Sequence, residues 1–391
     1  MERFRRPHCG TAPMVTCLAG MLLAGCGQRP TEFRLNAEGP ERGAATSTQL
    51  AEIARWLAAL FGNPDEPKAP DAARLRLEPL RRAAGPVHSD EQGVDFGLYR
   101  KHCAACHGIS GDGAGPAAAV LDPYPRDFRP GVFKFTSTAG GAKPVDDDLR
   151  RSIRRGLPGT AMPSFAALGE TEIDALVEYV KYLSLRGETE LYLFQRVVVE
   201  DDYVADVREV IDDSIAPLAE RWASAAAWRV VPPRRSAPPP TEASLAESIA
   251  RGRALYRTDR AKCMTCHGPE GRGDGPQSGA LIDDWNKPKL AATPDPARPQ
   301  ARRFRLPLQR LRPRDLTRGV FKGGGHTEDL YWRVHVGIKG TPMPGAGAAP
   351  GAPGVLEPNE ILDLVDYVRS LGPGGGSRLR AVSDGRSSSE Q

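Results

Sequence analysis

Two five-residue stretches limit what this chain can become more than anything else in it: Cys103-Ala104-Ala105-Cys106-His107 and Cys263-Met264-Thr265-Cys266-His267. The chain has 391 residues and seven cysteines, and four of those cysteines stand in the two copies. A length like this divides into two or three domains of about 100 to 200 residues each. The repeated stretch favours two similar ones.

Laying the halves together extends the repeat. Arg126 to Lys134 (RDFRPGVFK) answers Arg314 to Lys322 (RDLTRGVFK), and Gly156 to Pro163 (GLPGTAMP) answers Gly337 to Pro344 (GIKGTPMP). The segment from Glu172 (EIDALVEYVKYL) answers the one from Glu360 (EILDLVDYVRSL). The offset is 188 at both Asp127/Asp315 and Tyr179/Tyr367 but 160 at Cys103/Cys263, so the second half holds a net insertion of 28 residues before its RD motif. Its loop before Met343 is shorter by seven.

The apolar pattern predicts an all-α chain, helical at the ends of each half and irregular between. Ile173, Leu176, Val177, Val180 and Leu183 match Ile361, Leu364, Val365, Val368 and Leu371, each set one face of a helix. Pro358 suits a first turn, and Gly187 and Gly372 suit the ends. Upstream, Leu50, Ile53, Trp56, Leu57, Leu60 and Phe61 form another helical stripe, with a second short helix expected over 72–84.

Composition fixes the remaining segments. Residues 187–220 hold ten acids against two arginines, a balance of −8, and the Pro-rich VVPPRRSAPPPT that follows reads as an extended connector. Residues 301–340 carry ten Lys or Arg against three acids, a balance of +7 that suits either an acidic redox partner or the acidic segment itself. The whole chain is only +4, too weak a charge to argue for nucleic acid.

The N-terminus has three arginines, an apolar run from Met14 to Ala24 and then small residues, the layout of a secretory signal too short to span a membrane. Leu23-Ala24-Gly25-Cys26 resembles a bacterial lipobox, in which cleavage leaves the cysteine first and lipid is attached to its sulfur. An ordinary signal cut nearby is the alternative. With Cys26 lipidated, Cys9 and Cys17 leave with the signal and the exported body keeps Cys103, Cys106, Cys263 and Cys266. The expected order is then 1–25 lipoprotein signal peptide, 26–90 N-terminal extension with helices, 91–187 first domain, 188–245 acidic segment and Pro-rich linker, 246–372 second domain and 373–391 disordered tail.

Two cysteines three apart on a helical turn present both sulfurs to one side, and the histidine that follows can turn its imidazole the same way. Haem suits all three groups: its vinyls take thioether bonds from Cys103 and Cys106, or Cys263 and Cys266, and its iron takes a nitrogen from His107 or His267. A single copy could equally be a redox dithiol or half a zinc site. Two copies in repeated halves of an exported chain weigh against both, because zinc would need further cysteines.

A sixth ligand follows by elimination. After Cys26 the methionines are Met162, Met264 and Met343. Met264 lies inside the second CxxCH, on the histidine side. Met162 and Met343 remain, one per half, 55 and 76 residues after their histidines in matched Met-Pro loops. A lone methionine is usually core filler; one per haem beside a loop-fixing proline favours ligation. His326 and His335 are the competing ligands in the second half, and a surface or structural role suits them better.

With these residues in place, the sequence resembles the class I cytochrome c family in its two-domain, membrane-associated bacterial form. LYRKHCAACHG, LYRTDRAKCMTCHG, both Met-Pro loops and the terminal LVEYV and LVDYV carry the resemblance, over about residues 91–187 and 246–372. It implies two tandem haem domains of short helices, with the first and last helices of each crossing at an aromatic contact: Tyr99 with Tyr179, and Tyr256 with Tyr367. It also implies a proline carbonyl on each proximal imidazole, from Pro116 and Pro276. Arg126, Lys134, Arg314 and Lys322 stand at matched sites where haem propionates need partners, or form a solvated surface. The three extra residues between Tyr256 and Cys263, and the 28-residue insertion, depart from the family pattern.

The function expected is electron transfer by two covalent haems c, tethered through Cys26 to a membrane facing the periplasm. The implied partners are a quinol-oxidising complex or exported dehydrogenase on one side and a terminal oxidase or other acceptor on the other. The alternative is an enzyme, a dihaem peroxidase or small-molecule oxidoreductase, with one displaceable haem ligand.

Overall fold

The computed structural model describes residues 31–36, 45–234, 241–279, 281–282 and 306–373. Cys26, most of the second-half insertion and the tail after Pro373 lie outside them. The described part is helical, as the apolar periods predict. One short antiparallel strand pair, β1 (His88–Ser89) and β2 (Asp95–Phe96), interrupts it.

In the first half, α1 (Ser47–Phe61) starts on a reciprocal cap, in which Thr46 and Gln49 each accept the other's backbone N–H. Its apolar stripe buries Ile53, Leu57, Leu60 and Phe61. It stops at Gly62, where φ is +68° and a Cβ would lie 2.2 Å from the Glu66 carbonyl oxygen. The second predicted upstream helix forms as a turn at Asp71–Ala73 and then α2 (Leu77–Ala83). Next come α3 (Leu98–His102), α4 (Ala104–His107), α5 (Asp146–Arg155) and the long α6 (Glu170–Phe194).

Both α1 and α2 pack on α6. The join is polar as well as apolar. Glu178 of α6 is fully buried, and its carboxylate accepts the Arg76 backbone N–H at 2.8 Å and the Arg76 guanidinium at 3.0 and 3.1 Å. Tyr182 donates its hydroxyl to the Phe61 carbonyl. The extension is therefore part of the first core.

α6 does not end at Gly187. It runs on to Phe194, and the glycine serves a different need: a Cβ there would lie 2.3 Å from Arg129 Cα. The backbone at Arg129 lies against the helix, and only a residue without a side chain admits it. Beyond α6, the acidic stretch folds as a π-helical turn (Gln195–Val199), α7 (Val207–Val210), a second π turn (Ile211–Ile215) and α8 (Ala216–Ala223). Leu193, Phe194, Val197, Val204, Val210, Ile215 and Trp222 bury into the same core as Leu98 and Tyr99. Its acids find local cations: Lys143 with Glu188 at 2.6 Å, Arg74 with Glu220 at 2.7 Å, and Arg196 with Asp202 and Glu209 at 2.6 Å each. Among the described residues, no ion pair joins these acids to the basic 306–340 stretch.

The second half is smaller. It consists of α9 (Glu242–Tyr256), α10 (Cys263–His267), α11 (Thr327–Val336) and α12 (Pro358–Ser370). α9 crosses α12 at Gly252, where a Cβ would lie 2.0 Å from the Asp363 carbonyl oxygen. The extra residues before Cys263 form a loop, with Lys262 left-handed at φ +54°, where the first half runs from α3 almost directly into α4.

The halves dock through α5 and α11. Asp329 is 2% exposed and receives Arg155 at 3.2 Å and Arg151 at 3.7 Å. Arg151 lies over the Trp332 ring and Arg333 over the Phe135 ring, at 4.6 and 4.9 Å. Elsewhere on the boundary, Lys339 donates to Ala142 O at 2.6 Å. The Gln309 amide accepts from Tyr124 N and donates to Leu121 O, each at 2.9 Å.

Candidate functional site

In each half the helix crossing predicted from the tyrosines holds the CxxCH turn. Tyr99 and Tyr179 lie 4.7 Å apart, and Tyr256 and Tyr367 5.2 Å apart, between ring centroids. Each first tyrosine also donates its hydroxyl to the carbonyl of the glycine after the histidine, Tyr99 to Gly108 at 2.9 Å and Tyr256 to Gly268 at 2.8 Å. That bond fixes where each CxxCH turn ends. The chain then doubles back closely enough that a Cβ on Gly115 would meet Ala105 O at 2.5 Å, and one on Gly275 would meet Thr265 O at the same distance.

Both imidazoles are oriented by a backbone carbonyl. His107 Nδ1 lies 2.9 Å from Arg126 O, and His267 Nδ1 lies 3.0 Å from Arg314 O. A carbonyl can only accept, so Nδ1 carries the proton and the Nε2 lone pair is left free to bind a metal. Burial lowers both histidine pKa values, which favours that neutral form.

The acceptors are thus Arg126 and Arg314, not Pro116 and Pro276. Pro116 sits between Gly115, whose N–H bonds Cys106 O, and Ala117, whose N–H bonds Ala105 O, and Pro276 sits between Gly275, whose N–H bonds Cys266 O, and Gln277, whose N–H bonds Thr265 O. The signal available in the sequence was positional: His107 and Arg126 are 19 apart and His267 and Arg314 are 47 apart, a difference of 28, which is the insertion. The extra loop enters between ligand and acceptor without displacing the bond.

Among the described residues, the four CxxCH cysteines form no disulfide. Burial pushes the Cys103 thiol up to about 12 and the Cys263 thiol up to about 11. A redox dithiol needs its pKa lowered, so these thiols are tuned the wrong way for that chemistry. Among the described residues, no group of three or more His, Cys, Asp and Glu side chains gathers as a metal ion would require. The donor set fits a larger, flat partner: two sulfurs to attach its edge and one imidazole nitrogen for its centre.

The two Met loops have one backbone design. Met162 N–H bonds Thr160 Oγ1 at 3.1 Å while Met162 O accepts from Leu157 N, and Met343 N–H bonds Thr341 Oγ1 at 3.3 Å while Met343 O accepts from Ile338 N. Gly156 and Gly337, both at positive φ, end α5 and α11 and admit the Met-Pro backbone: a Cβ would lie 2.5 Å from Pro163 O and 2.7 Å from Met343 O. His335 is engaged elsewhere, its Nε2 2.9 Å from Ala348 O and its ring stacked on Tyr331. His326 caps α11.

The sites are not identical. Phe128 stacks on His107 at 4.6 Å and 18°, and its counterpart in the second half is Leu316. Met162 packs on the first core, whereas Met264 is the methionine that meets the second.

Comparison with known proteins agrees with this geometry. The family described as cytochrome C oxidase, cbb3-type, subunit III matches residues 96–180, and the family described as cytochrome c matches residues 249–372.

The chain belongs to the c-type cytochromes. As a cytochrome with two such domains, it carries out electron transfer with haem c in each. Among solved structures, a chain of the Kuenenia stuttgartiensis reducing HAO-like protein complex is similar at 27% identity and TM-score 0.47, covering 73% of this cytochrome and 98% of that chain. No curated protein matches the cytochrome. No helix among its described residues is long and apolar enough to cross a membrane.

Proposed function

We propose that this cytochrome is an exported, lipid-anchored dihaem electron carrier with both irons saturated by protein ligands. Cys103 and Cys106 in the first half, and Cys263 and Cys266 in the second, carry the thioether bonds. His107 and His267 are the proximal ligands and Met162 and Met343 the distal ones. Bound haem supplies reversible one-electron chemistry. The haem-binding regions are 91–187 and 246–372, the first completed by the extension before it and by the helical stretch after it, with Cys26 the lipid attachment point on the periplasmic side of a membrane.

The residues contribute positioning. Arg126 and Arg314 hold each imidazole by its Nδ1–H and keep Nε2 aimed at one point. The Thr160 and Thr341 hydroxyls shape the turns that present the two thioethers, neutral donors that favour the reduced iron and raise the potential. A raised potential suits a place between a quinol-oxidising complex or exported dehydrogenase and a terminal oxidase. An iron held by one imidazole and one thioether from the chain would have no position open to a reactant.

The observation that carries this reading is the repetition of one imidazole–carbonyl bond and one Met turn in both halves. The test is an optical redox titration of the wild type beside Met162→Ala and Met343→Ala. Each variant is expected to lose one low-spin haem and to gain carbon monoxide binding at that haem alone. Wild-type protein that binds carbon monoxide or turns over peroxide at rest would favour the dihaem peroxidase instead.

A further inference from the structure

Most cations at the boundary between the halves have partners. Arg151 and Arg155 share Asp329, Lys339 binds the Ala142 carbonyl, and Arg333 donates to the Asp329 carbonyl at 2.7 Å. Arg314 and Lys322 differ. Both are half-buried, and among the described residues neither side chain has an ion-pair or hydrogen-bond partner. Half-buried cations left without anions are costly, and their persistence implies an anion supplied from elsewhere.

Their placement says whose anion it is. Arg314 belongs to the second half and orients His267 through its carbonyl, yet its guanidinium crosses the boundary. A Cβ on Gly159 would lie 3.1 and 3.2 Å from its Nη1 and Nη2, and 3.2 Å from Val320 Cγ1. Gly159 is in the turn that presents Met162, the distal loop of the first half. Lys322 lies in the field of Arg314 and of Asp122, another first-half residue.

We propose that Arg314, assisted by Lys322, binds a carboxylate of the haem held by the other half. One arginine then orients the proximal ligand of the second haem with its backbone and neutralises the first haem with its side chain. This rests on the dihaem reading above. It makes the boundary a shared electrostatic element that raises the potential of the first haem from the second half.

The test is a potentiometric titration of the intact, haem-loaded cytochrome, with the first haem's midpoint identified by its fall in Met162→His. Arg314→Gln is expected to shift the first haem's redox equilibrium about tenfold toward the oxidised form, about 59 mV for one electron. Arg314→Lys should restore most of that shift, and Lys322→Gln should give a smaller shift of the same sign. A change confined to the second haem, or Arg314→Lys behaving like Arg314→Gln, would overturn the cross-boundary assignment while leaving the dihaem reading intact. Purified chain without covalent haem would overturn both.

Discussion

The two halves carry the same carbonyl-held imidazole and the same Met turn on unequal supports. In the first half, α6 is wrapped by α1 and α2 from one side of the sequence and by the Ile211–Ile215 turn and α8 from the other, so Tyr99, Tyr179, Phe128 and Leu183 share one core with the extension. The second half has the α9/α12 crossing and α11. For the rest it depends on its neighbour: Trp332 Nε1 donates to Val230 O at 2.9 Å, and Val230 N–H in turn donates to Ser137 O of the first half at 2.8 Å. The repeated chemistry needs few residues in fixed geometry. Stability depends on buried area, and the two halves differ in how much they bury.

That contrast can be broken at its narrowest point. Gly252→Val places a side chain where a Cβ already lies 2.0 Å from Asp363 O. It should cost the second half about 3 kcal/mol by overpacking. Calorimetry should then resolve a second-half transition that melts first while the first-half transition holds. A single shared transition displaced as a whole would mean the halves unfold as one unit.

The converse change loosens the first half. Glu178→Ala removes the carboxylate that ties Arg76, and so α2, to α6. It should cost about 2 kcal/mol, the scale for hydrogen bonds to a charged group. Chemical denaturation followed at the first haem should report the loss, and the second haem should follow only where docking fails. A smaller difference is expected at the ligands. Met162 rests on the first core, so exogenous imidazole should displace Met343 at a concentration about tenfold lower, a difference of about 1.4 kcal/mol. Equal displacement would show that core support does not reach the iron.

The smallest effect is a pH dependence of docking. Burial lowers the Lys339 pKa from 10.5 to about 8, so the folded, docked state disfavours its ammonium form. The penalty is full below pH 8 and is relieved as pH rises toward 10.5, so docking should strengthen with pH across that window. Asp148, which opposes the shift, and Lys143, which adds to it, face the same group. Lys339→Met should flatten the slope, read as the pH dependence of the second-half midpoint.

The sequence made these unequal supports only partly visible. Helices were legible wherever an apolar face repeats, as in α1, α6 and α12, and the tyrosine crossings were legible because the family pattern names a position. Gly187 misled because a glycine near the end of an amphipathic run looks like a terminator. What it admits, the backbone at Arg129, is 58 residues away and leaves no local trace. The histidine acceptors misled for a related reason: every residue has a carbonyl, so side-chain type says nothing about which one a distant imidazole will meet. The acidic stretch that begins in α6 reads as a joint because its ten acids face only two arginines. Yet Leu193, Val197, Val210 and Ile215 are fixed in the first core while the acids pair around them.

The proposed electron carrier requires two irons, each closed by an imidazole and a thioether. Quantitative low-temperature electron paramagnetic resonance of the fully oxidised chain tests this most directly. Two low-spin ferric centres per chain, one for each CxxCH, are predicted, with no high-spin signal and no change on adding cyanide at stoichiometric levels. A high-spin signal, or fewer than two haem spins per chain, would contradict it.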